Sequence, residues 1–228
     1  TSRSLEEEVK ASFQAYESVW KARADMLGSV AAILSSMPNV RSAFSTRNEV
    51  AIRDTAGELW LKISDNLKET SFFLVADSDG NTITSLDNTT PASVPLFWPI
   101  VKNVRSRFPK QVSGFFVHEG QLFQLVLTPV YSDSATGPVL VNVLVAGYTV
   151  NHLVAQRLKE LTGGSDFLFL SGSQVFASTL NDRATSVLAN LVQHQARSEL
   201  VSDGVSEYAP LVCELIDMHG NPVGRLAS

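Results

Sequence analysis

The chain has 228 residues, of which 44% are hydrophobic, and a formal net charge of −5 from 18 Lys+Arg against 23 Asp+Glu. That length and composition describe a globular protein with a sizeable core, as one large domain or two small ones, and exclude wholesale disorder. A mildly acidic chain without a basic cluster cannot neutralise many phosphates, so nucleic-acid binding is excluded, and the lone Cys213 can neither close an intrachain disulfide nor build a zinc site.

From Leu5 to Met37 the apolar residues Leu5, Val9, Phe13, Tyr16, Trp20, Leu27, Val30, Ile33, Leu34 and Met37 fall mostly three, four or seven apart. That spacing predicts one helix of about 33 residues, roughly 50 Å long. Ordinary globular helices run to about 11 residues, so this one reads as a rod that carries subdomains. Pro38 ends it, because proline disfavours helix at the residue before it. A second helix is expected over Asn39–Phe44. Thr46 and Glu49 have capping-box spacing and open a third, carrying Ile52, Ala56, Leu59, Trp60, Ile63 and Leu67 to about Lys68.

The period then becomes that of strands. Phe72–Ala76 and Thr82–Leu86 flank the turn Asp77-Ser78-Asp79-Gly80-Asn81. After a polar loop over 87–93, Pro95 and Pro99 flank a short helix with Phe97, Trp98, Val101 and Val104. Strands follow over Val112–His118, Gln121–Tyr131 and Val139–Thr149. The last of these is almost wholly apolar, so it is expected at the centre of a sheet. The pattern then repeats in shortened form. Asn151 caps a helix stopped by Gly163-Gly164, strands span Asp166–Leu170 and Gln174–Ser178, and Asn181 or Asp182 caps another helix. Ser206–Asp217, a turn at His219-Gly220-Asn221 and Pro222–Ala227 complete the order. The fold class is therefore α+β, a long N-terminal helix followed by two PAS-like modules with antiparallel sheets. The expected boundaries are 1–45 for the stalk helix and bend, 46–150 for the first module and 151–228 for a smaller second one.

Taken in order, several segments resemble double Cache sensor domains. These are the long helix with its bend at Pro38-Asn39-Val40-Arg41-Ser42-Ala43-Phe44, the apolar strand ending in Asp77-Ser78-Asp79-Gly80, and Pro129-Val130-Tyr131 with Gly147-Tyr148. The same holds for Gly163-Gly164 leading into Asp166-Phe167-Leu168-Phe169, and for Phe176-Ala177-Ser178-Thr179. The resemblance covers essentially the whole chain. It implies the periplasmic, extracytoplasmic part of a bacterial inner-membrane signal-transduction receptor such as a two-component system. The first module would be membrane-distal and the second membrane-proximal. Contact with the membrane would come only through flanking transmembrane helices outside this chain. No run of 18 apolar residues occurs within it, and its abrupt ends lead us to expect a segment trimmed at both membrane boundaries.

Chemistry of the chain's own is not expected. Asp77-Ser78-Asp79-Gly80 has the start of a calcium loop, but position 88, where the bidentate glutamate belongs, is Asn88, so a hairpin turn is the default. His118, His152, His194 and His219 show no metal-ligand spacing, there is no G-x-S-x-G elbow, and no glycine-rich phosphate loop occurs. We therefore expect no catalytic residue, no metal and no cofactor.

A PAS-like sensor pocket needs an apolar lining with a few orienting polar groups. The first module offers Trp98, Lys102, Arg105, Phe116, His118, Gln124, Thr128 and Tyr148. Phe116 and His118 share one strand face, as do Gln124 and Thr128. Lys102 and Arg105 share a helix face that, if turned inward, suits an anion such as a carboxylate. The expected partners are a small-molecule ligand and a second copy of the chain, paired as a homodimer through the long helix. The competing expectations are a protein–protein interaction module with a filled core and a hydrolase with an unrecognised triad.

Overall fold

The computed structural model describes residues 2–46, 48–60, 71–85, 98–193, 201–208 and 210–228. The long helix forms as a single element, α1 (Ser2–Ser36). Its buried line is Tyr16, Trp20, Leu27, Ala31 and Leu34, whereas Ile33 is 58% exposed. The sequence stripe is thus broader than the seam that packs. Met37 is extended (φ −68°, ψ 129°) and Pro38 takes the first turn of α2 (Pro38–Ser45). This is the bend that proline imposes on its predecessor.

Helix α3 (Glu49–Trp60) departs from the capping-box expectation. Asn48, not Thr46, caps it, its Oδ1 accepting from Val50 N at 3.0 Å and Ala51 N at 3.2 Å. The Thr46 hydroxyl is already committed to the preceding helix, donating to Ala43 O at 2.6 Å. The expected continuation to Lys68 and the polar loop at 87–93 lie outside the described residues.

A five-stranded antiparallel sheet follows from β1 (Ser71–Asp77), β2 (Thr82–Ser85), β3 (Val112–His118), β4 (Gln121–Ser134) and β5 (Gly137–Thr149), in the order β2-β1-β5-β4-β3. As the unbroken apolar run predicts, β5 is central, and Val143 to Ala146 are all 1% exposed or less. The short helix α4 (Trp98–Val104) and a 3-10 turn (Arg105–Arg107) lie between β2 and β3.

A four-stranded sheet is built from β6 (Leu168–Ser171), β7 (Gln174–Ser178), β10 (Val212–Ile216) and β11 (Pro222–Ala227), in the order β10-β11-β6-β7. Helix α5 (His152–Leu161) precedes it, capped by Asn151, whose Oδ1 accepts from Val154 N at 3.1 Å. Helix α6 (Asp182–Gln193) is capped by Asn181 through Ala184 N at 2.8 Å. One face of this sheet, with Leu168, Leu170 and Ala227, packs against Leu188 and Val192 of α6.

The single strand expected over Ser206–Asp217 is two. Glu207–Tyr208 (β9) pairs with Val201–Ser202 (β8), and only Val212–Ile216 joins the four-stranded sheet. Pro210 lies between the pieces and has no N–H to continue a ladder.

The chain falls into two compact units. One comprises Thr1–Arg23, Phe115–Phe123 and Thr149–Ser228, the other Ala24–Gly114 and Gln124–Tyr148. Within the first, Trp20 stacks on Phe115 (centroids 4.9 Å apart, 12° between planes) and on Phe169 (5.9 Å), while Tyr16 meets Phe167 at 5.6 Å. Within the second, α1 approaches the sheet at Gly28. A Cβ there would meet Gln111 Oε1 at 3.0 Å and Val126 Cγ1 at 3.6 Å.

Candidate functional site

The hairpin between β1 and β2 sets the geometry beside the first candidate site. Asp77 Oδ1 accepts from Asp79 N and Asn81 N, both at 2.9 Å, and Asn81 Nδ2 donates to Asp77 Oδ2 at 2.9 Å. Gly80 takes φ +94°, a conformation that costs other residues dearly. Burial pushes the Asp77 carboxyl up, but the bonds from Asn81, Asp79 and Gly80 outweigh it and leave the pKa below the usual value. The carboxylate is therefore occupied by the turn itself.

This turn forms one wall of a cleft of about 290 Å³, lined by Ser78, Asp79, Asn81, Lys102 and Arg105. Lys102 projects from α4 and Arg105 from the turn that follows. The buried Val101 and Val104 anchor the same segment, so the helical spacing that hides two valines presents the two cations together. Arg105 Nη1 lies 3.8 Å from Asp79 Oδ1, with both side chains more than half exposed. An exposed pair of this kind is worth about 0–1 kcal/mol, so Arg105 can exchange Asp79 for another carboxylate at little cost.

The other expected site residues are placed elsewhere. Gln124, Thr128 and Tyr148 are buried, at 5%, 4% and 2% exposure. The Tyr148 hydroxyl donates to Gln124 Oε1. Gln111 Nε2 donates to Thr128 Oγ1 at 2.8 Å and to Gly28 O at 2.6 Å. These three residues thus lie on the sheet face that α1 approaches, with the Tyr148 hydroxyl, Gln124 Oε1 and Thr128 Oγ1 bonded within the protein. Phe116 and His118 stack on one another (centroids 5.8 Å apart, 14° between planes). His118 Nε2 lies 3.6 Å from Glu119 Oε1, a contact that becomes an ion pair when the imidazole is protonated. Trp98 opens α4, and its side chain lies outside the described residues, as does His194.

The structure therefore brings Lys102 and Arg105 together, pairs Gln124 with Tyr148 and Phe116 with His118, and does not gather all eight in one pocket. The sequence presents Ser78, Asp79 and Asn81 as residues of a turn whose calcium-loop start lacks its glutamate, not as part of a ligand cleft. Their contribution depends on where α4 lands, a tertiary fact with no local signal. Among the described residues no cluster of three or more His, Cys, Asp or Glu could hold a metal, and no helix is long and apolar enough to cross a membrane.

The whole fold has known counterparts. The periplasmic domain of Vibrio cholerae LuxQ superposes with a TM-score of 0.62 at 14% identity, over 97% of this chain and 98% of that one. The sensor domain of the V. cholerae histidine kinase DctB does so at 0.58 and 14%, over 99% and 97%. The ligand-binding domain of the Pseudomonas aeruginosa amino acid chemoreceptor PctC, in complex with GABA, gives 0.52 and 13%, over 99% and 97%. No sequence among the curated proteins matches. A family model described as the double sensory domain of two-component sensor kinase matches residues 2–224. The chain belongs to that family, the double Cache sensory domains.

Proposed function

We propose that this chain is the periplasmic ligand-sensing domain of a membrane-bound receptor, and that a small carboxylate binds in its first module, residues 46–150. One observation carries the reading: the cleft in which Lys102 and Arg105 stand together over the β1–β2 turn, with a loosely held Asp79 beside them. The guanidinium offers a planar fork for a carboxylate and the ammonium a second positive charge. That similar domains hold L-valine and GABA supports a ligand of this size. In this reading residues 151–228 form the membrane-proximal module and the chain acts without catalysis.

The signal would travel along α1. Met26 and Ile33 are 40% and 58% exposed and stand seven residues apart on one face of that helix. They suit a partner helix in a homodimer, whose two packings a ligand could bias by a shift of about 1–2 Å.

A thermal-shift screen of small carboxylates that carry no ammonium group tests the reading. A ligand present at about 100 times its Kd stabilises by about 2.7 kcal/mol, roughly 5–10 °C in a domain of this size. The shift should vanish in the Lys102→Ala/Arg105→Ala double variant. A shift that survives the double variant, or no shift from any of these carboxylates, contradicts the assignment. Analytical ultracentrifugation of Ile33→Glu against the parent tests the dimer, which should dissociate.

A further inference from the structure

We propose a second, independent ligand site on the four-stranded sheet, shaped for a small zwitterion. Glu214 of β10 lies directly opposite Arg225 of β11, and Arg225 directly opposite Leu170 of β6. The three therefore form one row across one face of the sheet. At the inner end, Leu170 belongs to the core beneath α6. Toward the outer end, Ser171, Gln193 at the end of α6, Glu214, Gly224 and Arg225 are among the residues that line a cleft of about 320 Å³.

The charges in this cleft are held apart. Arg225 donates from Nη1 to the carbonyl of Val192 in the last turn of α6, which draws the guanidinium toward the helix. Glu214 is exposed and makes no ion pair among the described residues. Facing positions on paired strands would ordinarily let opposite charges meet. Here a cation tethered to a helix end and an anion on the edge strand leave a gap between them. A ligand carrying both an ammonium and a carboxylate spans that gap with the complementary polarity. Its carboxylate meets the donors of Arg225 that Val192 does not use, and its ammonium meets Glu214. A simple anion would meet Glu214 as a like charge, and a simple cation would meet Arg225, so each is disfavoured. At Gly224, where a side chain would turn toward Leu215 on the opposite face, a Cβ would come within 2.8 Å of the Leu170 carbonyl, so the close approach of β11 to β6 requires a glycine.

The test uses the full chain carrying Lys102→Ala/Arg105→Ala, so that the outcome does not depend on the first cleft. Glycine, L-alanine and γ-aminobutyrate are titrated while amide resonances are followed by NMR, with propionate and ethylamine as singly charged controls. At least one zwitterion should give saturable shifts at Ser171, Gly172 and Gly224, bound at least ten-fold more tightly than either control. Glu214→Gln, an exposed substitution that breaks no contact in the fold, should weaken it at least ten-fold. Saturable shifts absent for all three zwitterions, equal affinity for propionate, or indifference to Glu214→Gln would each overturn the proposal. Arg225→Lys, which retains the charge but loses the fork, should also weaken zwitterion binding, and an unchanged affinity would overturn the role given to the guanidinium.

Discussion

The hairpin at Asp77–Asn81 and the hairpin at Asp217–Asn221 are made of the same parts. In the second, Asp217 Oδ1 accepts from His219 N and Asn221 N at 2.8 Å, Asn221 Nδ2 reaches Asp217 Oδ2, and Gly220 sits at φ +90°. The sheets joined by these turns differ. The first has strands of 13 and 14 residues and meets α1 at a glycine. The second has strands of four to six residues, and its unit draws its packing from aromatic rings on the first part of α1. A local rule can therefore recur intact while packing is solved twice by different means, once by absence of a side chain and once by bulk.

Breaking the aromatic solution should have the largest effect. Trp20 is 7% exposed and touches Tyr16, Phe115 and Phe169. Trp20→Ala should cost about 3–5 kcal/mol in urea unfolding. Next comes the chemistry of β10. Burial, with Glu17 nearby, pushes the Cys213 thiol up to about 12. Alkylation by iodoacetamide near neutral pH should be at least about 100-fold slower in the native protein than in the denatured one. In linkage terms, a raised thiol pKa contributes its stability below the unfolded value of about 8.5 and loses it as pH climbs toward the folded one.

The glycine contact should prove smaller. Gly28→Val pushes methyl groups toward Gln111 and Val126, and overpacking of this kind costs about 1–3 kcal/mol. The loss should be read by the same unfolding titration. Smallest, and equal in the two hairpins, is the loss of a turn carboxylate. Asp77→Ala and Asp217→Ala should each cost about 1 kcal/mol at neutral pH. Burial raises the Asp217 pKa too, but hydrogen bonds from Asn221 and His219 bring it below the usual value. Both carboxylates thus stabilise fully above their unfolded pKa of about 3.9, and that contribution is lost as pH falls through the lower folded values. The gap between each variant and the parent should close in acid. A gap that persists there would mean that the turns depend on something other than the ionised carboxylate.

Much of this architecture was legible in the sequence, for identifiable reasons. Periodicity gave α1 as a single helix, and the apolar run at Val139 to Ala146 placed β5 at the centre. Asn151 and Asn181 announced their helices because a cap is a local interaction. The sequence reading failed where two local signals competed, as at Thr46 and Asn48, or where a single residue broke a ladder, as at Pro210. The candidate site was less legible. Period two put Gln124 and Thr128 on one face but could not say which layer covers that face, and it proved to be α1. Lys102 and Arg105 were found from helical spacing, whereas Ser78, Asp79 and Asn81 join them only through the tertiary position of α4.

The central claim, that the first module's cleft receives a carboxylate, is tested most directly by mapping the binding position of a hit from the thermal screen. Amide shifts on titration should concentrate at Ser78, Asp79, Asn81, Lys102 and Arg105, and the Kd should rise at least ten-fold on Lys102→Ala/Arg105→Ala. Shifts confined to other parts of the molecule, with an unchanged Kd in the double variant, would contradict it.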